Sequence, residues 1–125
     1  ELGGAAVNGI HTNTAFFPEE PRAEVQEFVK SFRAKYSKEP DAFNAYAYDA
    51  VVYAAAALRQ AGPKADRKAV RDAFYKIKDV PSVIFGKASF DPQTRRVIGV
   101  KSVNLAVKDG KWALLDEKAA AALSK

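Results

Sequence analysis

The chain has 125 residues, 48% of them hydrophobic and 28% charged, with a formal net charge of +5, one histidine and no cysteine. That length suits one domain and is short for two, and the composition excludes a chain disordered over most of its length. Without cysteine there is no disulfide framework, thiolate metal site or cysteine nucleophile. The positive charge is interleaved with acidic residues as a solvated face and is not gathered into a nucleic-acid-binding patch.

Residues 1–8 are small and glycine-containing, a loose lead-in. Residues 9–17 read as a strand, with Ile10, Thr12, Thr14 and Phe16 on one face and His11, Asn13 and Ala15 on the other. Pro18, Glu19, Glu20 and Pro21 stop it and prepare a helix. Residues 22–36 follow as that helix, its stripe being Val25, Phe28, Val29, Phe32 and Tyr36 at spacings of three and four. Asp41 is placed to cap a second helix, 42–61, rich in alanine and tyrosine and ended by Gly62-Pro63. Such a helix is usually buried on more than one side. Its apolar run at 51–58 is too short to span a bilayer. Asp66 caps a third helix, 67–77, with the stripe Val70, Ala73, Phe74 and Ile77.

The pattern then turns to β. A short apolar run at 83–85 and a strand at 87–90 lead to the turn Asp91-Pro92-Gln93-Thr94. Residues 97–107 alternate, Asp109-Gly110 is a hairpin signal, and 111–115 form the return strand. Residues 117–125 read as an alanine-rich helical stub. The order is strand, three helices, β-meander. The first strand has no β neighbour in sequence, so it pairs with the meander across the helices, or its partners lie in chain outside these residues.

The sequence holds little that does chemistry. His11 has no oriented partner and reads as a surface histidine. No metal-ligand spacing, phosphate loop or carboxylate pair with a catalytic arrangement is present, so no catalytic residue, metal or cofactor is expected. The start of the second helix differs. Aromatics on a helix are usually core, which is the reading for Tyr48 and Tyr53. Phe43, however, lies in the first turn, where a side chain projects into a cleft and free N–H groups face solvent or ligand.

The string KYSKEPDAFNAYAYDAVVYAAAALRQAG resembles a segment of the periplasmic branched-chain amino-acid-binding family, the solute receptors of ATP-driven uptake systems. Its flanks agree in order: GIHTNTAFFPEEPRAEVQEFVKSF before it, then AVRDAFYKI, FGKASFDPQTRR and VNLAVKDGKW after it. The resemblance implies an α/β fold, a portion of a type I two-lobed clamshell. Residues 1–17 would be the hinge-leading strand, 18–80 the helical part of the first lobe, and 81–125 the meander and C-terminal tail. It also implies a longer natural protein, of which this chain is a C-terminal fragment.

Carried over residue by residue, the resemblance places Phe43 against the ligand, with Asn44 and Tyr46 beside it, and Thr12, Thr14 and Phe16 near the hinge. It implies a periplasmic or otherwise extracytoplasmic binding component, not an enzyme. Its partners would be a small-molecule ligand, a membrane permease and the missing N-terminal portion, with no nucleic acid. A sensor ectodomain of the same fold and a standalone interaction domain without a ligand are the other readings. The ligand's identity is not fixed by the fold.

Overall fold

The computed structural model describes residues 4–99 and 101–116. After a short 3-10 turn come β1 (His11–Thr14), α1 (Ala23–Tyr36), α2 (Ala42–Ala61) and α3 (Arg67–Phe74). Five strands follow: β2 (Val80–Ser82), β3 (Gly86–Phe90), β4 (Val97–Ile98), β5 (Val103–Lys108) and β6 (Lys111–Leu114). The expected stub at 117–125 lies outside the described residues.

The helices form where period and caps put them. α1 buries Val25, Phe28 and Val29 and ends at Ser37 in the left-handed region, whose N–H donates to Arg33 O at 2.9 Å. α3 starts on Asp66, which accepts from Ala69 N at 2.7 Å. It stops at Phe74 and not at Ile77, because Ala73 O takes the amides of both Lys76 and Ile77 and tightens the last turn. Ile77 remains buried all the same.

The expected meander is two antiparallel sheets, ordered β1-β5-β6 and β2-β3-β4. The alternating run at 97–107 is not one strand: it breaks at Gly99, whose φ of +85° leaves the extended region that a side chain would require. β1 is shorter than expected, and its partner is inside the chain: His11 lies opposite Ala106 and Thr14 opposite Val103. The β5–β6 hairpin turns on Asp109 and Gly110, both at positive φ, as a two-residue hairpin loop demands.

Thr14 ends β1 on the rung where Val103 begins β5, so the chain leaves and re-enters this sheet side by side. Two residues beyond Thr14, Phe16 is buried among Val25, Phe28 and Ile84, edge-on to Phe28 with ring centroids 5.8 Å apart. A second core cluster gathers Tyr53, Ile77, Val80 and Ala88 beneath α2.

The apolar run at 83–85 is a buried turn, not a strand. Asp49 of α2 accepts from Val83 N at 2.9 Å and from Ile84 N at 3.1 Å, and Ser82 Oγ accepts from Phe85 N at 2.8 Å. From the other side the Arg22 guanidinium donates to Val83 O at 3.0 Å and Ile84 O at 3.3 Å. Side chains thus satisfy the amides and carbonyls that a neighbouring strand would otherwise take.

Ser82 Oγ also donates to Asp49 Oδ2 at 2.6 Å, and the Tyr53 hydroxyl reaches both Asp49 Oδ2 (3.0 Å) and Ser82 Oγ (2.8 Å). Burial, reinforced by the Asp49 carboxylate, pushes the Tyr53 phenol well above its ordinary value of 10.0. A group raised in the folded state contributes its full stabilisation below its unfolded value and loses it as the pH climbs through its folded one. Stability is therefore expected to fall from about pH 10 upward. Tyr53→Phe is expected to cost about 1 kcal/mol at neutral pH and to flatten that alkaline fall, as read by denaturant unfolding at a series of pH values.

Candidate functional site at the start of the second helix

Asp41 is the N-cap of α2, with extended backbone (φ −108°, ψ −177°). Its Oδ1 accepts from Asn44 N at 2.9 Å, and Asn44 Oδ1 accepts from Asp41 N at 2.9 Å, a reciprocal capping box. Ala45 N donates to Asp41 O at 3.2 Å, and the Ala45 side chain is fully buried. This fixes the rotation of the first turn. Phe43 then points away from the packed side and is 82% exposed, while Tyr46 is 46% exposed and Asn44 is half-buried.

The first turn is the end of a longer apolar face. Between Ala42 and Ala61 the only charged residues are Asp49 and Arg59, and Asp49 is buried. One side of α2 packs through Ala45, Asp49, Tyr53 and Ala57. The opposite side carries Phe43, Val51 and Leu58 at 82%, 69% and 54% exposure, with Ala47, Ala50 and Ala54 among them. A helix apolar all round belongs in an interior. α1 differs, since its exposed positions include Glu24, Glu27, Lys30 and Lys35, which suit water.

Among the expected site residues, Phe43, Asn44 and Tyr46 share that first turn and a half. Thr12, Thr14 and Phe16 lie apart from it: Thr12 is exposed within β1, Thr14 ends the strand with its Oγ1 donating to Phe16 O at 3.1 Å, and Phe16 beyond it is core. Of the two tyrosines read as core, Tyr53 is buried. Tyr48 is half-exposed, its ring tilted against Phe28 with centroids 5.1 Å apart. His11 is exposed on β1. Among the described residues no group of three histidine, aspartate or glutamate side chains is placed to hold a metal.

A groove of about 390 Å³ runs between α1 and α2, with the aromatic side chains of Phe28, Phe32, Tyr36 and Tyr48 and the charged Glu24, Glu27 and Lys35 in its walls, and it does not include Phe43, Asn44 or Tyr46. The sequence reading missed Asp49 as the organiser of the turn at 83–85. The signal was there: a lone carboxylate inside an otherwise uncharged stretch of helix.

A sequence model described as periplasmic binding protein matches residues 1–109. This chain belongs to the periplasmic binding protein family. No curated protein matches it, but several solved structures do. A putative branched-chain amino acid ABC transporter protein from Rhodospirillum rubrum is 35% identical with a TM-score of 0.77, over 91% of this chain and 32% of that one. A leucine-binding protein from Thermotoga maritima is 28% identical with a TM-score of 0.73, over 92% of this chain and 32% of its own. A solute-binding protein of an ABC transporter from Rhodopseudomonas palustris, solved with benzoate, is also 28% identical with a TM-score of 0.73, over 91% of this chain and 31% of its own. The chain therefore spans about a third of the length of these periplasmic binding proteins, and its α/β arrangement is a part of their fold.

Proposed function

We propose that this chain is part of the extracytoplasmic solute-binding component of an ABC uptake system, one that takes branched-chain amino acids or related small carboxylates, amides or aromatic acids. Phe43 carries the reading: a large apolar side chain, 82% exposed, held at the start of an apolar helix. A contiguous apolar face such as the one Phe43 shares with Val51 and Leu58 marks a surface that something covers. Similarity to proteins named for leucine and solved with benzoate supports a ligand with an apolar part.

In this reading Phe43, Asn44 and Tyr46 belong to one wall of the cleft, and the opposite wall and the groups that hold the ligand's charged ends come from the rest of the protein. The remainder of the uncovered α2 face, Val51 and Leu58 with the alanines around them, packs against that same missing portion. Thr14 and Phe16 lie where one of two adjacent chain segments leaves the β1-β5-β6 sheet, with Thr12 on the ladder just before it opposite Leu105, and in this reading the three flank a hinge. Ligand contact with both walls would favour the closed form, which a membrane permease then recognises. Among the described residues no helix is long and apolar enough to cross a membrane.

Titration calorimetry on the full-length natural protein, freed of bound ligand, tests this. Leucine, benzoate or a related small amide is expected to bind at micromolar concentration or below. Phe43→Ala is expected to weaken that binding by about 1–3 kcal/mol, the apolar area lost from the contact. Absence of binding across such a panel would remove the transport reading. A standalone interaction domain is the second reading, favoured by β1 finding its partner in β5; the uncovered face of α2 weighs against it.

A further inference from the structure

We infer that Asn44 is a positioning residue: it serves the cleft by fixing the first turn of α2, and through it Phe43, and not by touching the ligand. The inference rests on the reading of Phe43 as a cleft residue. Phe43 is 82% exposed in this chain, so what these residues supply to its direction is the backbone of the turn. That backbone lies inside the ring closed by the two 2.9 Å bonds between Asp41 and Asn44, each residue's side-chain oxygen taking the other's amide. Ala45 N, bonded to Asp41 O, locks the next position. The side-chain oxygen of Asn44 is thus committed to the cap, and only its NH2 is left to contact anything else.

The same bonds decide what this helix end offers a ligand. The Asp41 carboxylate already sits at the positive end of α2 and takes the Asn44 amide. A ligand carboxylate brought to that place would meet a carboxylate in possession. The start of α2 therefore presents an apolar group, Phe43, to the uncharged part of the ligand, and the ligand's own carboxylate is held elsewhere.

Asn44→Gln keeps an uncharged side-chain oxygen that can take the Asp41 amide, as a capping box allows, but displaces the NH2 by one methylene, whereas Asn44→Ala removes both. In the full-length protein, with leucine and benzoate as probes, Asn44→Ala is expected to weaken binding about fivefold or more, on the scale of a lost helix cap. Asn44→Gln is expected to restore binding to within about threefold of wild type. Added to Phe43→Ala, Asn44→Ala is expected to change affinity no further, because its effect passes through the missing ring. Asn44→Gln as damaging as Asn44→Ala, or an Asn44→Ala loss that adds in full to that of Phe43→Ala, would make Asn44 a direct ligand contact. A lowered thermal midpoint for Asn44→Ala at unchanged affinity would leave it a cap with no bearing on the cleft. Each of these overturns the inference. If wild type binds and Phe43→Ala binds equally well, the cleft reading of Phe43 has failed instead.

Discussion

Truncating Asp49 to alanine in the natural protein is expected to lower its unfolding free energy by about 3–5 kcal/mol. Four donors converge on this carboxylate: the Ser82 and Tyr53 hydroxyls and the amides of Val83 and Ile84. Their residues are buried, so water reaches them poorly once the acceptor is gone. Each buried group left unpaired costs about 1–3 kcal/mol, and relaxation keeps the total below the simple sum. Asn at the same position keeps one acceptor oxygen but turns an NH2 toward donors, so Asp49→Asn is expected to recover only part of the loss. Guanidinium unfolding midpoints at neutral pH measure both. A cost below about 1 kcal/mol for Asp49→Ala would mean that the turn at 83–85 stands without its carboxylate.

The second large effect is expected on the uncovered side of α2. Val51→Glu in the natural protein is expected to cost about 3 kcal/mol or more, or to abolish soluble expression, because it buries an unpaired charge against the part of the protein outside this chain. Lys30→Glu puts the same carboxylate on the outer face of α1, where Lys30 is exposed, and is expected to stay within about 0.5 kcal/mol. Side-by-side urea unfolding of the two variants decides the point. Equal behaviour would show that the α2 face meets water in the natural protein as the α1 face does.

The contrast between these helices was already visible in their residues. α1 alternates apolar and charged positions at helical spacing, and α2 has almost no charge to turn toward water. Caps were equally legible, since Asp41 and Asp66 act on amides three residues away and Gly62 ends α2 in its own neighbourhood. The Asp109-Gly110 turn belongs to the same class, because positive φ at two successive residues is a demand that few residue pairs meet. The resemblance to the binding-protein family was carried by strings of this kind, and the family match extends over residues 1–109.

Other features were not legible, and each depends on atoms far apart in the chain. The run at 83–85 looks like a strand from composition, and it is a turn because Asp49, 34 positions before Val83, and Arg22, 61 positions before it, take up its backbone. The partner of β1 is decided by a pairing that joins His11 to Ala106 across three helices. Alternation at 97–107 promises one strand, and the φ of Gly99 divides it between two sheets. Asn44 illustrates the limit at the site itself: its type allows either a cap or a ligand contact, and only the bond it accepts from Asp41 N commits its side-chain oxygen to the cap. What the sequence by itself determined were the helices, their caps, the hairpin turn and the family, because period and local hydrogen bonding act within a few residues. Which backbone groups are satisfied by which distant side chains, and which face of α2 is left bare, were decided only by the tertiary structure, because burial sets those choices and burial is a property of the assembled chain.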